Sequence, residues 1–303
     1  MKKNAFTMME IVIVIVIFGI IASIGANIIA KMYMNYIQSR AINYLQTQSG
    51  ITLEQIAKRL QYRIKQSTIA RKMDEAPPNN IYYLENSNVD DTFDVIEWIG
   101  YSNEAMLTGK TPGWSGFIDL DNIGTVNPDL TTPGSDLDKA INIMKVLSYD
   151  KVDLTTTSAA LIFKNKKDTN PAAGFGWDGN GGNAAYMLKV EKNTANTFKI
   201  TGDKPSEIYE HYYLAHSAYA IVPVNTRSDV DFDLELRYNY QPWSSTVNTY
   251  DNADTSKALL ATHVNLFRVK QTGNTIRLKL CLHDNNASGF NNYIVACKEE
   301  VVL

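Results

Sequence analysis

Twenty consecutive residues without a charge, Ile11–Ala30, follow directly on a carboxylate, Glu10. As a helix rising about 1.5 Å per residue they span roughly 30 Å, the hydrocarbon thickness of a bilayer. Whatever the rest of the chain folds into must hang from a helix that lives in lipid or among other apolar helices. Gly19, Gly25 and Asn27 weaken this run, and membrane helices tolerate all three. Lys2 and Lys3 precede it and no base follows until Lys31. The excess of basic residues on the N-terminal side keeps that end cytoplasmic and sends the remaining ~270 residues across. A cleaved secretory signal also begins basic and turns apolar. Here the run is too long for a signal core, no small-x-small cleavage site stands out after it, and a long amphipathic helix continues from it.

Beyond Lys31 the helical pattern becomes one-sided. Leu53, Ile56, Leu60 and Ile64 recur at three- and four-residue spacing, with Glu54, Lys58, Arg59, Arg63 and Lys65 on other faces. Ser49-Gly50 marks a point where the helix can bend, and Pro77-Pro78 closes the segment. The pattern predicts one helix from Phe6 to about Met73, roughly 100 Å long. From Asn79 the texture changes to apolar, β-branched and aromatic runs. These are Asp94–Tyr101, Ser115–Leu120, Ala159–Lys164, Ala185–Lys192, Thr197–Thr201, Tyr212–Val224, Asp231–Tyr240, His263–Gln271, Thr275–His283 and Tyr293–Val302. Gly273-Asn274 reads as a hairpin turn between the last long pair. One helix interrupts, Ser135 to about Ser148, with Ser135 and Asp138 as its capping pair.

The predicted fold class is therefore α+β, a long N-terminal α-helix packed against a C-terminal antiparallel β-sheet domain. Its first half spans a membrane. The divisions are 1–5, a leader; 6–30, the membrane helix; 31–73, the amphipathic second half; and 74–303, a β-rich head. A composition 45% hydrophobic and 20% charged is that of a folded chain. A net charge of −3 gives no pull toward nucleic acid or anionic lipid.

Lys2-Lys3-Asn4-Ala5, then Phe6-Thr7-Met8-Met9-Glu10 and the apolar run, resembles the leader of type IV pilins and type II secretion pseudopilins. The resemblance covers about 25 residues at the N-terminal end. It implies a pilin-like fold, cleavage by a prepilin peptidase between Ala5 and Phe6, and N-methylation of the new Phe6 amine. Glu10 then stands at the fifth mature position. Ala5 departs from the usual Gly. The implied role is structural: a subunit assembled through its N-terminal helix, with no cofactor. The implied partners are other pilin or pseudopilin subunits, inner-membrane lipid, the prepilin peptidase, and an inner-membrane platform with its ATPase. The implied place is the inner membrane, with the head in the periplasm, and then the filament. A lone acid in hydrocarbon costs about 2.5–3.5 kcal/mol, so Glu10 needs a partner. The resemblance supplies one, the Phe6 amine of a neighbouring subunit; the alternative is an acid solvated among headgroups. The large head implies a minor subunit. One large minor pseudopilin lacks the fifth-position Glu, so Glu10 argues against that identity. Two other readings stand beside this one. A ligand-binding tip subunit, for adhesion or DNA uptake, needs exposed aromatic and basic residues around Trp114, Trp177 or Trp243. A plain single-pass anchor needs none of this.

Within the head, Cys281 and Cys297 are the only cysteines and fall in the last two strand-like runs. Outside the cytoplasm a disulfide is permitted. It would resemble the C-terminal disulfide loop of many type IV pilins; two unbridged thiols are the alternative. Asp119 and Asp121, in Asp119–Gly124, have the spacing of a calcium loop, but Leu130 stands where the twelfth-position acid belongs and Asp129 lies beside it. A turn after a strand is the simpler reading. Asn286 begins an N-x-S acceptor, with Asp284 two places earlier, in a segment whose Asn and Ser also suit a turn. Gly174, Gly176 and Gly179 spell G-x-G-x-x-G without a preceding strand, so they read as a flexible loop and not a nucleotide site. The four histidines read as unrelated: His211 and His216 have opposite parity, and His263 and His283 lie in other strands. No catalytic constellation emerges, and the chain does not read as an enzyme.

Overall fold

The computed structural model describes residues 7–303 apart from 74, 77–79, 88, 91–92, 108, 123–128, 158 and 285–293. Helix α1 spans Met8–Gln61 without interruption through Ser49-Gly50. Its first buried residue is Leu45, and from there Ser49, Thr52, Leu53, Ile56 and Leu60 form one stripe, the spacing of a single helical face. Gly50 has its own reason. A Cβ there would lie 2.8 Å from Lys298 Nζ, so the glycine admits a side chain of the facing strand.

The helix ends twelve residues earlier than the expected Met73, because the chain finds better partners. Tyr101 N–H donates to the Tyr62 carbonyl at 3.0 Å, and Ile64 N–H donates to the Ile99 carbonyl at 2.8 Å. Arg63 closes the helix end, donating from Nη1 to the Leu60 carbonyl at 2.8 Å and from Nη2 to the Asn274 carbonyl at 3.0 Å. Cross-strand pairing thus overrides the helix propensity of Lys65–Met73, which tertiary context routinely outweighs. A short 3₁₀ turn, Lys65–Ser67, leads into the sheet.

Among the described residues twelve strands join in one antiparallel sheet. They are β1 (Ile69–Arg71), β2 (Ile81–Tyr83), β3 (Val95–Tyr101), β4 (Asp129–Thr131), β5 (Ala159–Phe163), β6 (Met187–Thr194), β7 (Thr197–Ile200), β8 (Tyr212–Ser228), β9 (Asp231–Tyr240), β10 (Ser256–Thr272), β11 (Thr275–His283) and β12 (Val295–Val302). The main order is β12-β11-β10-β9-β8-β5-β6-β7-β4, while β3 also pairs with β8 and carries β1 and β2 beyond it. Strand β8 is the hub. Its Ala215 is opposite both Tyr101 and Ala160, which requires partners on both edges.

Alternation along β3 divides the core. Ile96 and Trp98 belong to the cluster under α1, with Leu53, Ile56, Leu60, Leu236, Leu278 and Leu280. Val95 and Ile99 belong to a second cluster with Phe175, Trp177, Tyr240 and Trp243. Consecutive strand residues point to opposite faces, so the sheet is covered on both sides here. Helix α3 (Leu137–Ser148) roofs a third cluster over Leu161, Phe163, Leu188 and Tyr212. The short helices α2 (Asn103–Met106) and α4 (Pro171–Gly174) complete the fold.

Three local expectations change. Ser115–Leu120 forms no strand: Phe117 makes a single bridge to His211, and Leu120 opens a 3₁₀ turn. The Ser135/Asp138 cap does not form, because α3 begins at Leu137 and both residues are engaged elsewhere. Ser135 Oγ accepts Ser115 N–H at 2.9 Å, and Asp138 pairs with Lys192. The glycine-rich segment is packed, not a free loop. Phe175 and Trp177 are buried within it, and Trp177 Nε1–H donates to the Ser67 carbonyl at 3.1 Å. Gly176 is required there, with φ +77° and the Pro242 carbonyl 2.6 Å from where a Cβ would stand.

Candidate functional site

From Ile11 to Ala30 every residue of α1 except Gly25 is exposed. Phe18 is 72% and Met9 74% accessible. A helix this apolar and this long, projecting from a sheet that grips only its second half, has no cover among the described residues. Exposed apolar surface well beyond a few hundred Å² marks a site for lipid or protein, and this helix is long and apolar enough to cross a membrane.

At its mouth Glu10 is held by a reciprocal cap. The Thr7 backbone N–H donates to Glu10 Oε2 at 2.9 Å, and the Thr7 hydroxyl donates to the same oxygen at 3.0 Å. In return Glu10 N–H donates to Thr7 Oγ1 at 3.4 Å. Thr7 at the N-cap and Glu10 three residues on satisfy two of the helix's orphan donors and place a carboxylate at its positive end. Ala5 and Phe6 lie outside the described residues, so the partner that can be named for Glu10 is Thr7 of its own chain.

Cys281 and Cys297 form a disulfide between directly opposed residues of β11 and β12, with Cα atoms 4.0 Å apart. Asp119 and Asp121 form a local turn, in which Asp121 N–H donates to Asp119 Oδ1 at 3.1 Å. Asp129 instead accepts from Asn193 Nδ2 at 2.8 Å. Asn286 lies outside the described residues. Trp114, Trp177 and Trp243 are each 1–2% exposed, so the surface a tip subunit needs is not built from them. Deeper in the head, Arg71 pairs with Glu97 while Tyr240 Oη–H donates to the other carboxylate oxygen at 2.8 Å.

The sequence pattern left the histidines apart; the fold brings two of them together. Asp231 opens β9, His263 lies in β10 and His283 ends β11. His263 Nδ1 is 3.2 Å and His283 Nε2 3.7 Å from Asp231 Oδ1, and the three donor atoms all lie within 4.8 Å of one another. The imidazole rings meet edge to face with centroids 5.3 Å apart. His283 is 4% exposed. Burial pulls its pKa down while Asp231 pulls it up, and burial prevails.

A β-bulge is responsible. The Gly273-Asn274 turn pairs Thr272 with Thr275, and that register continued strictly would set His283 opposite Val264. A slip between Val264 and Leu266 sets Leu282 there instead, and a one-residue slip exchanges the faces on which side chains lie. His263 sits in the irregular stretch with φ +54°, a conformation costing on the order of 1–3 kcal/mol for a residue with a Cβ. Its N–H donates to Asp233 Oδ1 at 3.3 Å. Burial raises the Asp233 pKa, but Arg227, Asn225 and this N–H outweigh it and hold the carboxyl low. Arg227 also reaches Asp231 Oδ1 at 3.0 Å. Parity along single strands misses this convergence; the signal that finds it is the bulge, which periodicity does not report.

No family model, curated protein or solved structure matches the chain.

Proposed function

We propose that the chain is a structural subunit, minor by the size of its head, of a type IV pilus or type II secretion pseudopilus. The observation that carries the proposal is the division of α1. Its second half is fixed to the sheet of its own chain, while Ile11–Ala30 is exposed all round. The leader resemblance explains that division. The apolar half rests in the inner membrane with the head in the periplasm. After cleavage between Ala5 and Phe6 it is extracted into a bundle of like helices, whose backbone groups stay satisfied within each helix in either setting. An inner-membrane platform and its ATPase supply the energy, and the prepilin peptidase makes the cut. In this scheme Glu10 arrives pre-organised by Thr7, one oxygen already taking two donors. Its other oxygen receives the Phe6 amine of a neighbour. Intact mass of the chain extracted from membranes of a cell making prepilin peptidase tests this reading. The expected species begins at N-methylated Phe6; a chain still beginning at Met1 overturns it.

The same cap favours a second reading, a single-pass anchor for a periplasmic head. Thr7 satisfies Glu10 within the chain, so the acid can be explained without any neighbour. The uncut chain is the outcome that selects this reading.

A further inference from the structure

We propose that Asp231, His263 and His283 form a binding site for a divalent transition-metal ion of the zinc class. The two carboxylate-to-imidazole edges are close to those of tetrahedral coordination, and all three donor atoms lie within 4.8 Å of one another. With zinc–ligand bonds of 2.0–2.1 Å the edge of the tetrahedron is about 3.3 Å, and the two carboxylate-to-imidazole separations are 3.2 and 3.7 Å. Two imidazole nitrogens and one carboxylate oxygen are donors that suit zinc and its late first-row neighbours, whereas calcium and magnesium favour all-oxygen shells.

The surroundings supply what three ligands alone do not. Both histidines line a cleft of about 230 Å³ between the sheet and α1, shared with Tyr44, Leu45 and Gln48. That cleft leaves a fourth position for water. The bulge that carries His263 is anchored by its N–H on Asp233, and Asp233 is gripped by Arg227 at 3.0 Å and by Asn225 Nδ2 at 2.9 Å. Outer partners of this kind fix ligand orientation. Arg227 is the competitor as well, since it reaches Asp231 Oδ1. Metal entry replaces that contact and the His263–Asp231 contact, while Arg227 keeps both oxygens of Asp233. An ion held here ties β9, β10 and β11 together beside the turn of α1 at which burial begins. The site is thus a clamp at the junction of head and helix, and it is independent of cleavage at Phe6.

The test uses the full detergent-solubilised chain, stripped of metal and titrated with Zn²⁺ by calorimetry, with thermal melts alongside and Ca²⁺ as the comparison ion. One Zn²⁺ per chain is expected, with a melting temperature that climbs as Zn²⁺ is added and no comparable response to Ca²⁺. Co²⁺ substituted for Zn²⁺ should give the intense visible absorption of a tetrahedral site. His263→Ala and His283→Gln should each weaken Zn²⁺ binding about tenfold or more, the loss that follows even from removing an outer partner. His263 is the more exposed of the two, so H263A serves should H283Q fail to fold. No stoichiometric binding by the wild-type chain, or binding undiminished in a folded His263→Ala chain, overturns the proposal.

Discussion

Glu10, at the exposed mouth of α1, and the buried Glu97 show two ways of supplying a carboxylate with donors. Glu10 takes its donors from Thr7, one turn away. Glu97 is fully buried and takes Arg71 on one oxygen and Tyr240 on the other, so neither lone-pair set is stranded; removing one partner of such a pair typically costs about 3–5 kcal/mol. His216 solves the opposite problem by staying neutral. It is 4% exposed, and burial pulls its pKa from 6.5 down to about 4. The unfolded chain therefore binds a proton near pH 6.5 that the folded chain refuses until about pH 4. The contribution of the neutral ring is complete above pH 6.5 and is lost as pH falls toward 4, about 3 kcal/mol in all. Denaturant unfolding at pH 7 and pH 4.5 should show the wild-type chain losing about 2–3 kcal/mol more than His216→Leu. Equal losses would mean that His216 finds a proton-accepting path in the folded head.

At the scale of elements, the bond between Cys281 and Cys297 joins neighbouring strands 16 residues apart in sequence. A loop of that length gives about 3 kcal/mol of stabilisation through restriction of the unfolded chain. Replacing both cysteines by alanine should lower unfolding stability by about that amount and abolish the effect of reductant on the midpoint. A reductant-insensitive wild-type midpoint would contradict the bridge. The hairpin at Gly273-Asn274 and the strands β9 and β11 were legible in the sequence, because alternation over nine or ten residues outweighs local noise, whereas the cysteine pairing came from the family resemblance, with unbridged thiols as its alternative. Three-residue strands such as β1, β2 and β4 carry no period to read. The end of α1 was hidden for another reason: Tyr62 and Ile64 leave the helix to pair with β3, a partner more than thirty residues away. Ser115–Leu120 has strand composition but only one bridging partner, so composition misled there. The Asp231–His263–His283 cluster depends on the registers of two strand pairs and on the slips within them, none of which a single segment encodes.

The whole molecule is a stem and a head sharing one helix. Packing is dense from Leu45 onward, where α1 lies across β10, β11 and β12, and it thins on the N-terminal side through the half-buried Ile42, Ala41 and Ile37. On the proposed reading, the division lets one chain rest in lipid and then in an assembly. The head is complete on its own side, and the stem exposes a surface that only lipid or other apolar helices can cover. On this account assembly needs both the apolar run and the acid at its mouth, and the acid has a task in the filament beyond capping its own helix. The direct measurement is recovery of the chain in filaments sheared from cells that carry the wild-type sequence or Glu10→Ala, with membrane fractions followed in parallel. The account predicts that both chains insert and are cut before Phe6, and that Glu10→Ala is depleted at least tenfold from the filaments, about 1.4 kcal/mol or more of lost recognition. Recovery of Glu10→Ala in filaments at the wild-type level, or a wild-type chain that never leaves the membrane, would contradict it.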